Sequence, residues 1–275
     1  MRVESLHLYP VKSAAVLDVS EATVERWGLH GDRRWAVVGK DGSRLSAPRH
    51  RTLMRVRAQP TPAGIRLSAD GVVPLEVPYP LAGVRVPVGL SELDSAVLAD
   101  DAAAEWFSSL LGVDARLVWL DDPYRRPVRA VRGGRDGDPL SLADNTPILL
   151  TSLASLAQLN AWIAEDADSA GAQPQAPVPI NRFRPNIVID GEDAFEEDRW
   201  ATVRIGEVEF RFASRCDRCA VTTIDPASNE SSHEPLRTLA KHRKWDGHVW
   251  FGAALIPVTP GFVRVGDAVE VSSAS

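Results

Sequence analysis

Cysteine is scarce in this chain: two occur among 275 residues, together, as Cys216-Asp217-Arg218-Cys219. With no second Cys-x-x-Cys, the pair alone falls short of the four ligands of a structural zinc site or an ordinary iron–sulfur cluster. His233 and His242 follow, but eight residues separate them, too many for finger-type zinc spacing. No disulfide framework exists either, which fits a reducing, cytoplasmic setting. Long apolar runs are also missing, so no membrane association is expected. The opening Met1-Arg2-Val3-Glu4-Ser5-Leu6-His7-Leu8 has no apolar core of secretory length. Excess positive charge is absent too. A net charge of −6 and a pI near 5.6 argue against nucleic acid as a stable partner. Eight tryptophans are many for this length, but they are scattered, as packing residues are.

What is present reads mainly as short strands and turns. Arg34 to Ser43 reads as a strand entering an Asp41-Gly42 turn. Val208, Phe210 and Phe212 alternate with Glu209 and Arg211, the period of a half-buried strand. Val263, Val265, Val269 and Val271 continue that pattern around Gly266-Asp267. Three short helices are predicted. Asp101 caps one that ends at Gly112, Ser152 caps another carrying Leu156, Leu159 and Ile163, and Glu234-Pro235 opens a third. The predicted class is mainly β with short helices, built from barrels. Asp121 to Pro139 carries Arg125, Arg126, Arg129, Arg132 and Arg135 among prolines and glycines, and reads as a linker or lid. Its arginines suit an anionic ligand or an acidic electron donor, although neighbouring aspartates partly neutralise them. The predicted division is 1–121, an Arg-rich 122–139, and 140–275. Ala164 to Pro179 reads as a loop.

Chemistry concentrates at the cysteines. A thiolate is a soft ligand and a nucleophile, and neighbouring cations stabilise it. Arg215 and Arg218 are interleaved with the pair and are expected to bracket both sulfurs. A thioredoxin-like pair should open a helix; this one follows an alternating strand and precedes the β-prone Ala220-Val221-Thr222-Thr223-Ile224. A redox-motif reading is therefore weak. A small buried thiol is the plain alternative.

Further polar segments occur in a fixed order. They are Tyr9-Pro10-Val11-Lys12-Ser13, Gly28-Leu29-His30-Gly31-Asp32-Arg33-Arg34-Trp35, Leu150-Thr151-Ser152 and Asn181-Arg182-Phe183-Arg184-Pro185-Asn186. Trp250-Phe251-Gly252 and Pro260-Gly261-Phe262-Val263-Arg264-Val265-Gly266-Asp267 complete them. With the cysteine pair, this combination resembles the MOSC family, the molybdenum-cofactor sulfurase C-terminal domain family, including its associated N-terminal β-barrel domain. Among its members, those that reduce amidoximes are the most similar. The likeness spans nearly the whole chain.

The resemblance implies a Mo-pyranopterin cofactor, with Cys219 as the catalytic protein ligand to the metal. It places Lys12, Ser13, Arg33, Thr151, Ser152, Arg184, Asn186 and Arg218 at cofactor-contacting positions. Those residue types suit the group: cationic forks and short hydroxyls for a phosphate, and an amide for the pterin edge. It assigns Cys216 no ligand role. The implied reaction is two-electron reduction of small N-hydroxylated compounds. No ferredoxin-like domain follows Val271, so a separate ferredoxin, flavin reductase or cytochrome is expected to supply electrons. His30, His233 and His248 are candidate proton donors among which the sequence does not choose. The alternative is a cofactor or sulfur carrier holding a persulfide on Cys219. No lysine stands in a recognisable Schiff-base motif, so pyridoxal phosphate is not expected.

Overall fold

In the computed structural model, which describes residues 1–90, 92–169, 171, 173 and 176–273, strands dominate and helices are few. Two units separate by their contacts. One comprises Leu8–Leu17 and Trp27–Asn145; the other comprises Met1–His7, Asp18–Arg26 and Thr146–Ser275.

In the first unit, Trp35–Gly39 pairs with Ala115–Trp119, and Leu93–Leu98 joins Ala115–Trp119 to Arg85–Leu90. A second sheet runs Arg57–Thr61, Gly64–Ala69, Val72–Pro78. Helix α1 (Asp101–Leu111) places Ala103, Trp106 and Phe107 in a core with Trp35, Val37, Leu67 and Leu117. Its cap is Asp100, which accepts from the Ala103 amide at 2.9 Å; Asp101, the expected cap, sits one residue inside. Gly112 ends the helix at φ 67°, a left-handed geometry that glycine adopts without a steric cost.

In the second unit the main sheet follows the order Val269–Ser273, Trp200–Ile205, Val208–Asp217, His248–Pro257, Ile148–Ser152, Ile187–Ile189, Val3–Leu8. All neighbours are antiparallel except Ile148–Ser152 with Ile187–Ile189. Helix α2 (Leu153–Ser169) buries Leu159 and Ile163 against Phe183, Phe251 and Leu239, the last from α3 (Leu236–His242). Ser152 caps α2, its hydroxyl accepting from the Ala154 amide at 3.1 Å. The expected loop from Ala164 is helical as far as Ser169, because Ala167 continues the buried stripe of α2. Positions 170, 172, 174 and 175 of that expected loop lie outside the described residues. The valines near the end divide between two sheets: Gly261–Arg264 pairs with Glu21–Glu25, and Val269–Ser273 with Trp200–Ile205. Val263 and Val269 are buried, Val265 and Val271 exposed. Among the described residues, no helix is long and apolar enough to cross a membrane.

Candidate active site

The register of the strand that carries Cys216 shifts between Arg215 and Asp217. Val208–Asp217 ends within the pair, leaving Cys216 half-buried and Cys219 exposed at the start of a tight turn, Ala220–Thr223. Arg218 donates from Nη1 to Cys216 Sγ at 2.9 Å and from Nη2 to the Phe183 carbonyl at 2.6 Å. Its guanidinium lies 5.3 Å from the Phe183 ring, which stacks on Phe251 at 3.9 Å. Arg182, buried, donates to the Thr222 carbonyl at 2.7 Å and to the Glu234 carbonyl at 2.9 Å. Two arginines thus fasten the Ile180–Phe183 turn to both sides of Cys219. Arg215 does not join them. Asp198 and the Trp245 ring hold it instead. The expectation that Arg215 and Arg218 bracket both sulfurs is corrected to Arg218 at Cys216.

Directly after the Ile180–Phe183 turn, Arg184 adopts φ 56°. Asn186 then begins the strand Ile187–Ile189. Its Oδ1 accepts from the Leu149 amide at 3.2 Å, and its Nδ2 donates to the His7 carbonyl at 3.2 Å. It therefore braces three strands. Thr151 and Ser152 are fully buried at the end of Ile148–Ser152. Thr151 Oγ1 and Arg218 Nε are buried without a hydrogen-bond partner.

Lys12, Ser13 and Arg33 lie in the other unit. Lys12 is buried, donating from Nζ to the Leu142 carbonyl at 2.7 Å and to Asp144 at 2.6 Å. Burial pushes its pKa down, against the pull of Asp144. Arg33 donates to buried Asp32 at 2.6 Å, and its guanidinium lies 4.5 Å from the Tyr9 ring. Burial opposes the charge on Arg33, but Asp32 and Tyr9 outweigh it and hold the pKa above its usual value. The Arg33 carbonyl accepts from the Leu142 amide at 2.8 Å, so Lys12 and Arg33 meet at one short segment. Ser13 and Arg33 have positive φ, 69° and 48°.

Arg126 was read as part of an exposed linker. It is buried, donating to the carbonyls of Ser141 and, at 2.7 Å, Ala143, and burial pushes its pKa down to about 10. Its role was invisible in a run of five arginines of similar context. Arg182 and Asp144 were missed for the same reason: their partners are backbone atoms or residues distant in sequence. Of the three histidines, His248 is distinguished by Asp217, whose Oδ2 lies 2.8 Å from Nδ1. His30 and His233 are exposed. Among the described residues, no three His, Cys, Asp or Glu side chains converge as a metal cluster.

These features define a β-rich chain with one exposed thiol, Cys219, on a segment that Arg218 and Arg182 hold through backbone carbonyls. The chain belongs to the MOSC family: residues 137–270 match the MOSC domain and residues 1–114 the MOSC N-terminal beta barrel domain. It is 31% identical to mitochondrial amidoxime-reducing component 1 of Homo sapiens, over 97% of this chain and 82% of that one. The Mus musculus protein of the same name is 34% identical, over 97% and 81%. Molybdenum cofactor sulfurase of Danio rerio is 30% identical, over 91% of this chain but only 31% of the sulfurase.

Proposed function

We propose that this chain is a molybdenum-cofactor-dependent reductase of small N-hydroxylated compounds, supplied with electrons by a separate donor protein. One observation carries the reading. Of the seven non-glycine residues with left-handed backbone among the described residues, three, Ser13, Arg33 and Arg184, are ones the family resemblance places on the cofactor. Such backbone costs free energy and concentrates where a ligand is clamped.

The side chains present fit the group. In one unit Arg184 and Arg218 are cationic donors suited to a phosphate and Thr151 a hydroxyl; in the other, Lys12 and Arg33 are the cations and Ser13 the hydroxyl. The buried Thr151 Oγ1 and Arg218 Nε have no partner within the chain. Cys219 is the exposed thiol that would ligate the metal. Arg218 and Arg182 hold the backbone on either side of it, and Ser152 and Asn186 brace the strand ends that carry Thr151 and Arg184. When bound, the cofactor supplies the electron pair and Lewis acidity for N–O cleavage, in which N–OH, two electrons and two protons give N–H and water. The two family matches also support N- and C-terminal domains near 1–121 and 140–275, while by contact Met1–His7 and Asp18–Arg26 group with Thr146–Ser275.

The test is turnover of benzamidoxime by the cofactor-loaded chain with reduced methyl viologen as artificial donor. Benzamidine formation is expected. Transfer of cofactor or sulfur to an acceptor protein, with no benzamidine formed, would replace the reductase with the carrier that the sulfurase likeness suggests.

A further inference from the structure

A tight hairpin adjoins the cysteine segment. Lys244–Trp245 pairs with the start of His248–Pro257 through Asp246 and Gly247, whose φ values of 54° and 78° are the pair a two-residue turn requires. Trp245 and His248 are partners across the register. The longer strand is fixed to the cysteine segment at three points. Asp217 is in register with Trp250, the Arg218 amide donates to the Val249 carbonyl at 2.8 Å, and Asp217 Oδ2 lies 2.8 Å from His248 Nδ1. Cys219 is the next residue after this fastening.

We propose that this hairpin is the substrate-selecting wall of the thiol site, with Trp250 and His248 forming the face on which a flat, π-bearing N-hydroxylated compound lies. The proposal rests on the reductase reading above. Three observations support it. His248 and Trp250 are half-exposed, whereas Phe251 to Pro257 of the same strand are buried. Large rings left partly open on the strand that fastens the cysteine segment are available to a ligand. Their orientation is also fixed: the rings lie 5.2 Å apart, Asp217 holds His248, and Trp250 Nε1 donates to the Trp245 carbonyl at 3.3 Å. Finally, flat N–C–N cations already stack in this cluster. The guanidiniums of Arg243 and Arg215 lie 4.7 and 5.6 Å from the Trp245 ring, which itself sits 6.2 Å from Trp250. An aryl amidoxime is a neutral, planar N–C–N group conjugated to an aromatic ring, so Trp250 and His248 offer its flat face stacking.

The wall makes a claim that simple packing does not: it discriminates aromatic from aliphatic substrates. The experiment compares benzamidoxime with acetamidoxime on the cofactor-loaded chain, in wild type, Trp250→Leu, Trp250→Phe and His248→Ala. Trp250→Leu is expected to raise KM for benzamidoxime by roughly tenfold, with kcat and the acetamidoxime KM unchanged. Trp250→Phe keeps a ring and should retain most of the preference. Binding of the product benzamidine, followed by saturation-transfer NMR, gives a readout independent of turnover and should weaken in both Trp250→Leu and His248→Ala. Equal effects on both oximes, or none on either, would overturn the wall while leaving the reductase intact. Trp250-dependent benzamidine binding with no turnover of either oxime would do the reverse.

Discussion

Arg218 donates to the sulfur of Cys216 across 2.9 Å, so the first thiol of the pair is held by the residue that immediately precedes the second, Cys219. The same guanidinium holds the Phe183 carbonyl. Arg218 is thus a clamp between the cysteine segment and the turn that presents Arg184.

Arg218→Met is expected to destabilise the chain by about 1.5–3 kcal/mol, the range for hydrogen bonds to charged groups. Arg218→Lys keeps the charge but not the fork, so it should recover only part of that loss. Denaturant unfolding of the cofactor-free protein checks both. Wild-type stability in Arg218→Met would remove the clamp.

Asn186 braces the strands that begin at Val3, Ile148 and Ile187, whatever else it touches. Asn186→Ala leaves the Leu149 amide and the His7 carbonyl without their side-chain partners. Each buried group left unsatisfied costs about 1–3 kcal/mol. A loss of that size should appear in cofactor-free protein. If instead only cofactor retention falls, the brace is not its main role.

Glu197 is fully buried, and the Ser155 hydroxyl lies 2.8 and 2.9 Å from its two carboxyl oxygens. Burial pushes its pKa up from 4.5 to about 7. A carboxyl raised in the folded state binds its proton more tightly there than in the unfolded chain. Its stabilising contribution is therefore present below pH 4.5 and is lost as pH rises through about 7. The full span corresponds to roughly 3 kcal/mol. Glu197→Gln, neutral at every pH, should flatten this part of the stability profile and gain on wild type above neutrality. Parallel profiles between pH 5 and 8 would contradict it.

Much of the fold was legible because it rests on local rules. The alternation at Val208, Phe210 and Phe212, the Ser152 cap and the leucine stripe of α2 all follow from spacing. The expected loop failed at Ala164 because alanine and aspartate suit either a loop or an exposed helix face, and only Ala167 packing decides. At the site, residue types were readable but their partners were not. Arg215 and Arg218 flank one sulfur in sequence, yet the first is held by Asp198 and only the second reaches Cys216. Arg126 and Arg182 bond to carbonyls, which carry no sequence signal at all. The Asp217–His248 pair spans 31 positions, beyond any local pattern.

The most direct measurement is molybdenum and pterin content per chain, in wild type and Cys219→Ala, after expression in a host that makes the cofactor. Near-stoichiometric metal and pterin are expected in wild type, with metal lost or differently coordinated in Cys219→Ala. Wild-type protein containing neither, with cofactor in ample supply, would contradict the assignment of Cys219 as the metal's protein ligand.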